Sequence, residues 1–465
     1  MATLSSPGVG SGLDVNSIVT QLVAIERKPI EQLQAKATAI QTQLSSFGLL
    51  QSYVTNVRDI AAKLADASFW SQTTASSSDA SAVAATSTTS AAAGSYSVEV
   101  GQLAQAQGLA SQHYAGATTT VGTGTLHIEL GTWGVGQTSF TPKTGATAVD
   151  ISVAASDTLT DVRDKINAAG AGVTALIMTD ANGSRLLMRS NTSGADSAFR
   201  SSGIAALAYD TGTKTMTQNQ TAANAQATVN GLAVSSTTNT LTNIVDGLTL
   251  SLSAVTTAPV SVDVVTDTAA LKKTMTDFAA AYTAVVQLIS TDTKYNAATK
   301  KGGILQGDGA ATSLQRQLRS LAASASSASA MFTHLSDIGL ELQRDGSMTV
   351  NDTKLTSALA NVGELKKMFS SSDLVDPTAD GFAKRFRVVT TGLLGSSGSV
   401  TTRTAGLADE LTKNQKDQDS LTLRLAGIEK RMRAQYTALD ATMAKLNSTS
   451  SFVTQQIAAY NKSPA

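Results

Sequence analysis

Leu33, Ile40, Phe47 and Val54 recur every seven residues, and Ile30, Ala37 and Leu44 form a second row of the same period. Two such rows lay a continuous apolar stripe along one side of an α-helix, and that stripe demands a second helix to cover it. Leu50, Val57 and Leu64 continue the second row after a phase shift, so the seam carries one irregularity. The spacing predicts a helix over about 29–66, roughly 55 Å long at 1.5 Å per residue. Such a helix gains most of its stability by packing its apolar face. The pattern returns near the other end of the chain, where Leu421, Leu425, Ile428, Met432, Tyr436, Leu439, Met443 and Leu446 step by three and four, with one extra four. A helix is predicted there over about 408–446. Two unpartnered seams nearly 400 residues apart imply that the ends of the chain come together.

A shorter helix is predicted ahead of the first seam, from Val15 to Lys28, with Ile18, Val19, Leu22 and Ile25 on one face. Asp14 or Asn16 is its expected cap. Arg27 and Lys28 complement the dipole at its end, and Pro29 is expected to break it and start the next helix. Before it lies Gly8-Val9-Gly10-Ser11-Gly12. Position 13 is Leu, no strand precedes, and no G-x-x-x-x-G-K-[ST] occurs in the chain, so this glycine run reads as a flexible lead rather than a phosphate cradle.

The middle of the chain differs. Residues 71–95, rich in Ser, Thr and Ala, are expected to form a partly extended crossing segment. From Tyr96 to about Asp267 the signals are those of strands. Asn230-Gly231 and Asn182-Gly183 mark hairpins. One helix is predicted over 159–169, with Thr158 and Asp161 as a capping-box-like pair and Gly170 past its end. Helices return over about 268–290 and 310–323. Asp345-Gly346 turns a small hairpin, after which Asp352 or Thr353 is expected to cap a helix. The segment RDGSMTVND lacks the acidic spacing of a calcium loop. The fold class is therefore multidomain α+β: terminal coiled-coil legs and a helical layer, with a β-rich head inserted mid-chain. The domain reading assigns 1–40 and 425–465 to the leg base, and 41–75 with 268–424 to the helical leg. It gives 76–112 with 220–267 to a β-rich head and 113–219 to an outer β-rich head.

Composition removes several function classes. Lys plus Arg and Asp plus Glu both number 35, which argues against a nucleic-acid partner. There is no cysteine, so thiolate metal sites and cysteine catalysis are excluded. His113, His127 and His334 share no ligand spacing. No nucleophile elbow is present, and no catalytic, cofactor or metal residue is assigned; a carboxylate-only hydrolase stays open. No signal peptide is visible, and no apolar run reaches the length of a membrane span.

Five collinear segments carry a resemblance. GVGSGLDVNSIVTQLVAIERKPIEQLQ at the start resembles the amino-terminal signature of the flagellar filament-capping family, hook-associated protein 2 or FliD. ANAQATVNGLAVSSTTNTLTNIVDGLTLSL, GGILQGDGAATSLQRQLRSL and LSDIGLELQRDGSMTVNDTKLTSAL resemble its later segments. DTLTDVRDKINAAGAGVTALIMTDANGSRLLM is similar to a repeat shared by flagellin and hook-associated proteins. The resemblance implies a secreted, extracellular cap at the flagellar tip, exported by the type III route. It implies a homo-oligomeric ring, a pentamer by analogy, that promotes folding and insertion of exported flagellin and prevents its leakage. Its implied partners are further copies of itself, flagellin, hook–filament junction proteins and an export chaperone. The seams supply candidate interface positions: Leu13, Asp14, Ile18, Leu22, Ile25, Leu33, Ile40 and Phe47 near the start, and Leu425, Ile428, Met432, Leu439, Met443 and Leu446 near the end. The alternatives are an adhesin whose β-rich head binds host mucin or glycans, another axial protein such as a flagellin or junction protein, and a metal-free enzyme.

Overall fold

The computed structural model describes residues 14–298, 300–373, 375–376 and 379–460. Leu13 and the glycine run lie outside the described residues. The chain opens with α1 (Val15–Ala65) and then enters a strand-rich region. This begins with β1 (Thr73–Ser77), β2 (Val83–Ser87), β3 (Gly94–Gln102), β4 (Gly108–Ala110), β5 (Gly124–Trp133), β6 (Phe140–Pro142) and β7 (Val149–Val153). After α2 (Leu159–Ala169) come β8 (Val173–Asp180), β9 (Gly183–Ser190), β10 (Ala198–Ser202), β11 (Thr217–Gln220) and β12 (Ala225–Val229). β13 (Leu232–Ser236), β14 (Thr240–Val245), β15 (Leu248–Leu252) and β16 (Val260–Thr266) complete the region. Helices follow: α3 (Thr268–Thr293), α4 (Gly309–Ala322), then the hairpin β17 (Leu340–Leu342) and β18 (Met348–Val350), α5 (Asp352–Ala358), α6 (Val362–Ser370), α7 (Phe382–Leu394) and α8 (Ser399–Tyr460). The α+β, multidomain class read from the sequence holds.

Two compact units result. The helical unit joins the chain up to Trp70 with the chain from Ala269 onward; the β-rich unit spans Ser71–Thr268. The helical core takes Phe47, Leu50, Val54, Val57 and Leu64 from α1, all fully buried, with Phe278 and Tyr282 from α3, Leu314 and Leu318 from α4, and Phe386 from α7. Phe278 meets Phe386 edge-on at 5.0 Å. Trp70 stacks on Phe369 at 5.5 Å, and its indole nitrogen donates to the Leu64 carbonyl at 2.8 Å, satisfying one of the last free carbonyls of α1. Asp308 caps α4 by accepting from the backbone of Ala310 and Ala311. Its second oxygen accepts from Arg403 Nε at 2.7 Å, which ties α8 to the cap.

The β-rich unit has two cores. One is shared by an antiparallel sheet of order β1-β16-β3-β12-β13 and a smaller sheet β14-β15-β2. Their inward residues alternate: Val98 and Val100 on β3, Val262 and Val264 on β16. The other core lies among β4 to β11 and α2, around Leu109, Leu126, Ile166, Leu186 and Phe199. Val229 pairs with Leu232, so Asn230-Gly231 is a two-residue turn. Both residues have positive φ (50° and 78°), as the right-handed twist of a hairpin prefers. On α2, the Thr158–Asp161 capping box and left-handed Gly170 form as predicted.

Four expectations are corrected. Pro29 does not break the first helix; α1 runs through it. The proline ring removes a backbone bond, but it lies on an exposed face, where water can serve the carbonyl it frees. α8 extends well beyond the predicted 408–446; ahead of it Val400 and Leu407 pack into the helical core, which the Ser- and Thr-rich string around them does not announce. The supposed crossing segment 71–95 supplies β1, β2 and the start of β3, since it is β-paired by strands from much later in the chain. Asn351, not Asp352 or Thr353, caps α5, accepting from the Lys354 amide.

Candidate interaction surface on the terminal helices

α1 and α8 pack against each other in antiparallel fashion. Near the start of α1, Asn16 Oδ1 accepts from Arg433 Nη1 at 3.1 Å, whereas the later part of α1 shares its core with Val400 and Leu407 at the start of α8. Arg433 also pairs with Glu429 at 2.8 Å, one turn back on α8. Asp14 starts α1: its carboxylate accepts from the Ser17 amide at 2.9 Å, a conventional amino-terminal cap.

The structure sorts these candidate interface residues into three groups. Ile40 and Phe47 are buried in the helical core, and Leu425 is buried on α8, so these three are occupied within the chain. Leu33, Ile428, Met432 and Met443 are half-buried, as are Ile18 and Leu22. Ile25 is 61% exposed and Leu446 58%, with Leu439 exposed beside it. α1 is continuous across Pro29, so the inward stripe of its first half joins that of its second. It runs through Val15, Val19, Ile30 and Ile40, and Ile25 falls off it. Val15 was not singled out from sequence, although its four-residue step to Val19 was there to see.

α8 is the longer of the two helices among the described residues. Past Arg433 it continues to Tyr460, roughly 40 Å of further helix at 1.5 Å per residue. Leu439, Leu446, Phe452, Val453 and Ile457 are all exposed along it. The earlier seam contains a polar step. Asn414 is 4% exposed, accepts from Gln418 Nε2 at 2.6 Å, and its own Nδ2 has no partner among the described residues. Of the buried apolar residues flanking that step, Ile40 and Leu407 belong to the helical core, while Val15, Val19, Ile30 and Leu425 lie outside it.

Each histidine sits by one carboxylate: His113 by Asp180 at 3.2 Å, His334 by Asp337 at 4.0 Å, and His127 against Asp150. Among the described residues, no three His, Cys, Asp or Glu side chains gather as a metal site, and no helix is long and apolar enough to cross a membrane. Burial pushes the Tyr282 hydroxyl up to about 12, as expected of a core phenol.

The model of the flagellar hook-associated protein 2 amino terminus matches residues 11–107, and that of its carboxyl terminus matches 222–448. The chain is 32% identical to the flagellar hook-associated protein 2 of Escherichia coli (strain K12) over 98% of both chains. The chain belongs to the flagellar hook-associated protein 2 (FliD) family. A flagellin hook IN motif matches 136–192, which contains the segment read as a flagellin-like repeat. The A-type hook-associated protein 2 of Pseudomonas aeruginosa is 28% identical over 97% of this chain and 96% of its own. The crystal structure of the E. coli flagellar cap protein FliD D1-D2-D3 domains matches with a TM-score of 0.60 and 30% identity, covering 78% of this chain and 99% of that one. These FliD relatives favour a cap over the adhesin alternative.

Proposed function

We propose that this chain caps the flagellar filament. It would act outside the cell at the filament tip, as a homo-oligomeric ring that promotes folding and insertion of exported flagellin and prevents its escape. The supporting observation is the FliD likeness along the chain combined with a terminal helix that leaves Leu439, Leu446, Val453 and Ile457 exposed along one side. An apolar row of this kind on a soluble surface is a docking face. We assign Ile25, Leu439, Met443 and Leu446 to contacts with neighbouring copies, flagellin or junction subunits. Ile40, Phe47 and Leu425 hold the leg together from within. Before export a chaperone would cover the same apolar face.

The test replaces Leu439 and Leu446 by Asp in the full chain. Both side chains are exposed, so the thermal transition stays where it was. Filaments shorten and unpolymerised flagellin appears in the medium. Filaments of normal length with no leakage would remove these residues from the interface.

A further inference from the structure

The zero net charge of the chain conceals a division. The helical unit holds 28 Lys and Arg against 22 Asp and Glu, while the β-rich unit holds 7 against 13. No Lys or Arg occurs from 64 to 142 or from 215 to 271, and these two segments supply every strand of the core around Val98 and Val262. On the larger of its sheets, Glu99 and Asp263 are the charged residues, and both point outward between buried valines. A shallow groove of about 380 Å³ on that face, lined by Glu99, Gln226, Thr228 and Ser235, leaves room for a long side chain.

On the helical unit, α4 carries Arg316 and Arg319, and α7 carries Lys384, Arg385 and Arg387, with no carboxylate on either helix; Lys384 is paired with Asp380 just ahead of α7 at 2.9 Å, which leaves the arginines as the free charge. Between them lies a groove of about 560 Å³ lined by Arg316, Gln317, Ser320, Leu321, Arg385 and Val389. Arg385 is held in place by the Ala325 carbonyl at 3.0 Å and Ser324 Oγ at 2.9 Å. Arg316 is exposed and has no carboxylate partner among the described residues.

We propose that the α4–α7 groove of one copy receives the outer face of the β1-β16-β3-β12-β13 sheet, around Glu99 and Asp263, of the next copy. Joining two different patches in this way makes a heterologous contact, the kind that closes into rings. Like-to-like pairing of either unit is disfavoured by its own excess charge. The proposal rests on the cap reading for the expectation that copies assemble.

The test is sedimentation of the purified full chain at low and high salt. Arg316→Glu with Ser320→Glu alters two exposed α4 residues that line the groove; among the described residues Ser320 makes no side-chain hydrogen bond. Glu99→Lys with Asp263→Lys alters the sheet. Each pair is expected to raise the assembly midpoint concentration by at least about tenfold without moving the melting temperature. Combining all four changes recovers assembly, and high salt weakens the wild type. The proposal is overturned by a wild type that stays monomeric at low salt, by either pair assembling like wild type, or by a combination no better than its parts. Filament growth is scored in parallel. Variants that assemble normally yet stop growth would give the groove to an exported subunit instead, while sparing the cap reading.

Discussion

Asn414 stands where the seam of α8 would take leucine, between Leu411 and Gln418. Its Oδ1 accepts from Gln418, and Nδ2 is buried with no partner among the described residues. A buried polar residue in a helix seam specifies register and costs stability. Asn414→Leu should therefore stabilise the helical unit by about 1 kcal/mol, read as a melting temperature raised by ~2–4 °C; a lower melting temperature would sink this account. Phe47 has no exposed surface, so Phe47→Ala should cost ~3–5 kcal/mol in urea unfolding. At this scale the sequence was legible only in part. Phe47 and Ile25 both sit in apolar rows, yet one is core and the other surface. Which of the two a residue becomes depends on the phase of the whole helix and on the partner beneath it.

Among elements, α2, closed by local chemistry, was legible in full, whereas the cap of α5 was placed one or two residues late. The Thr158–Asp161 box and Gly170 delimit α2 through bonds within three residues of its ends. Thr158→Ala should cost about 1 kcal/mol, measured as a lower urea midpoint. The hydrogen bond from the Thr158 side chain holds the Asp161 carboxyl below its ordinary value. The Lys354 side chain does the same for Glu341 and the Ser347 hydroxyl for Asp345. A carboxyl whose folded pKa is depressed contributes stability that is complete above the unfolded value, about 4, and is lost as pH falls through the folded value. The urea midpoint should therefore be flat near neutrality and decline below about pH 4; a midpoint that rises on acidification would contradict these hydrogen bonds. Elements paired at long range were less legible. Nothing in 71–95 announces strands, because the partners of β1 and β2 lie on β16 and β15.

The whole molecule is two units with separate cores and opposite charge. Independent cores unfold independently unless a large interface couples them. Calorimetry of the full chain should resolve more than one transition, and Phe47→Ala should move the transition of the helical unit and leave the other in place. A single transition shifted as a whole would show coupling between the units. The resemblance spread along the chain was visible in five sequence segments because each is a local string. The charge division is written in the string too, as stretches without Lys or Arg from 64 to 142 and from 215 to 271, but the total of zero hides it until the unit boundaries are known.

Local periodicity and local hydrogen bonding were thus decided by the sequence alone: seams at both ends, the α2 box, the Asn230-Gly231 turn and the family likeness. Only the tertiary structure decided that Pro29 lies within a continuous helix, that Ile40 and Phe47 are interior while Leu446 is exposed, and where the boundary between the basic and acidic units falls. The physical reason is range. A heptad or a cap acts over a few residues, whereas burial and net field depend on groups brought together from hundreds of residues apart.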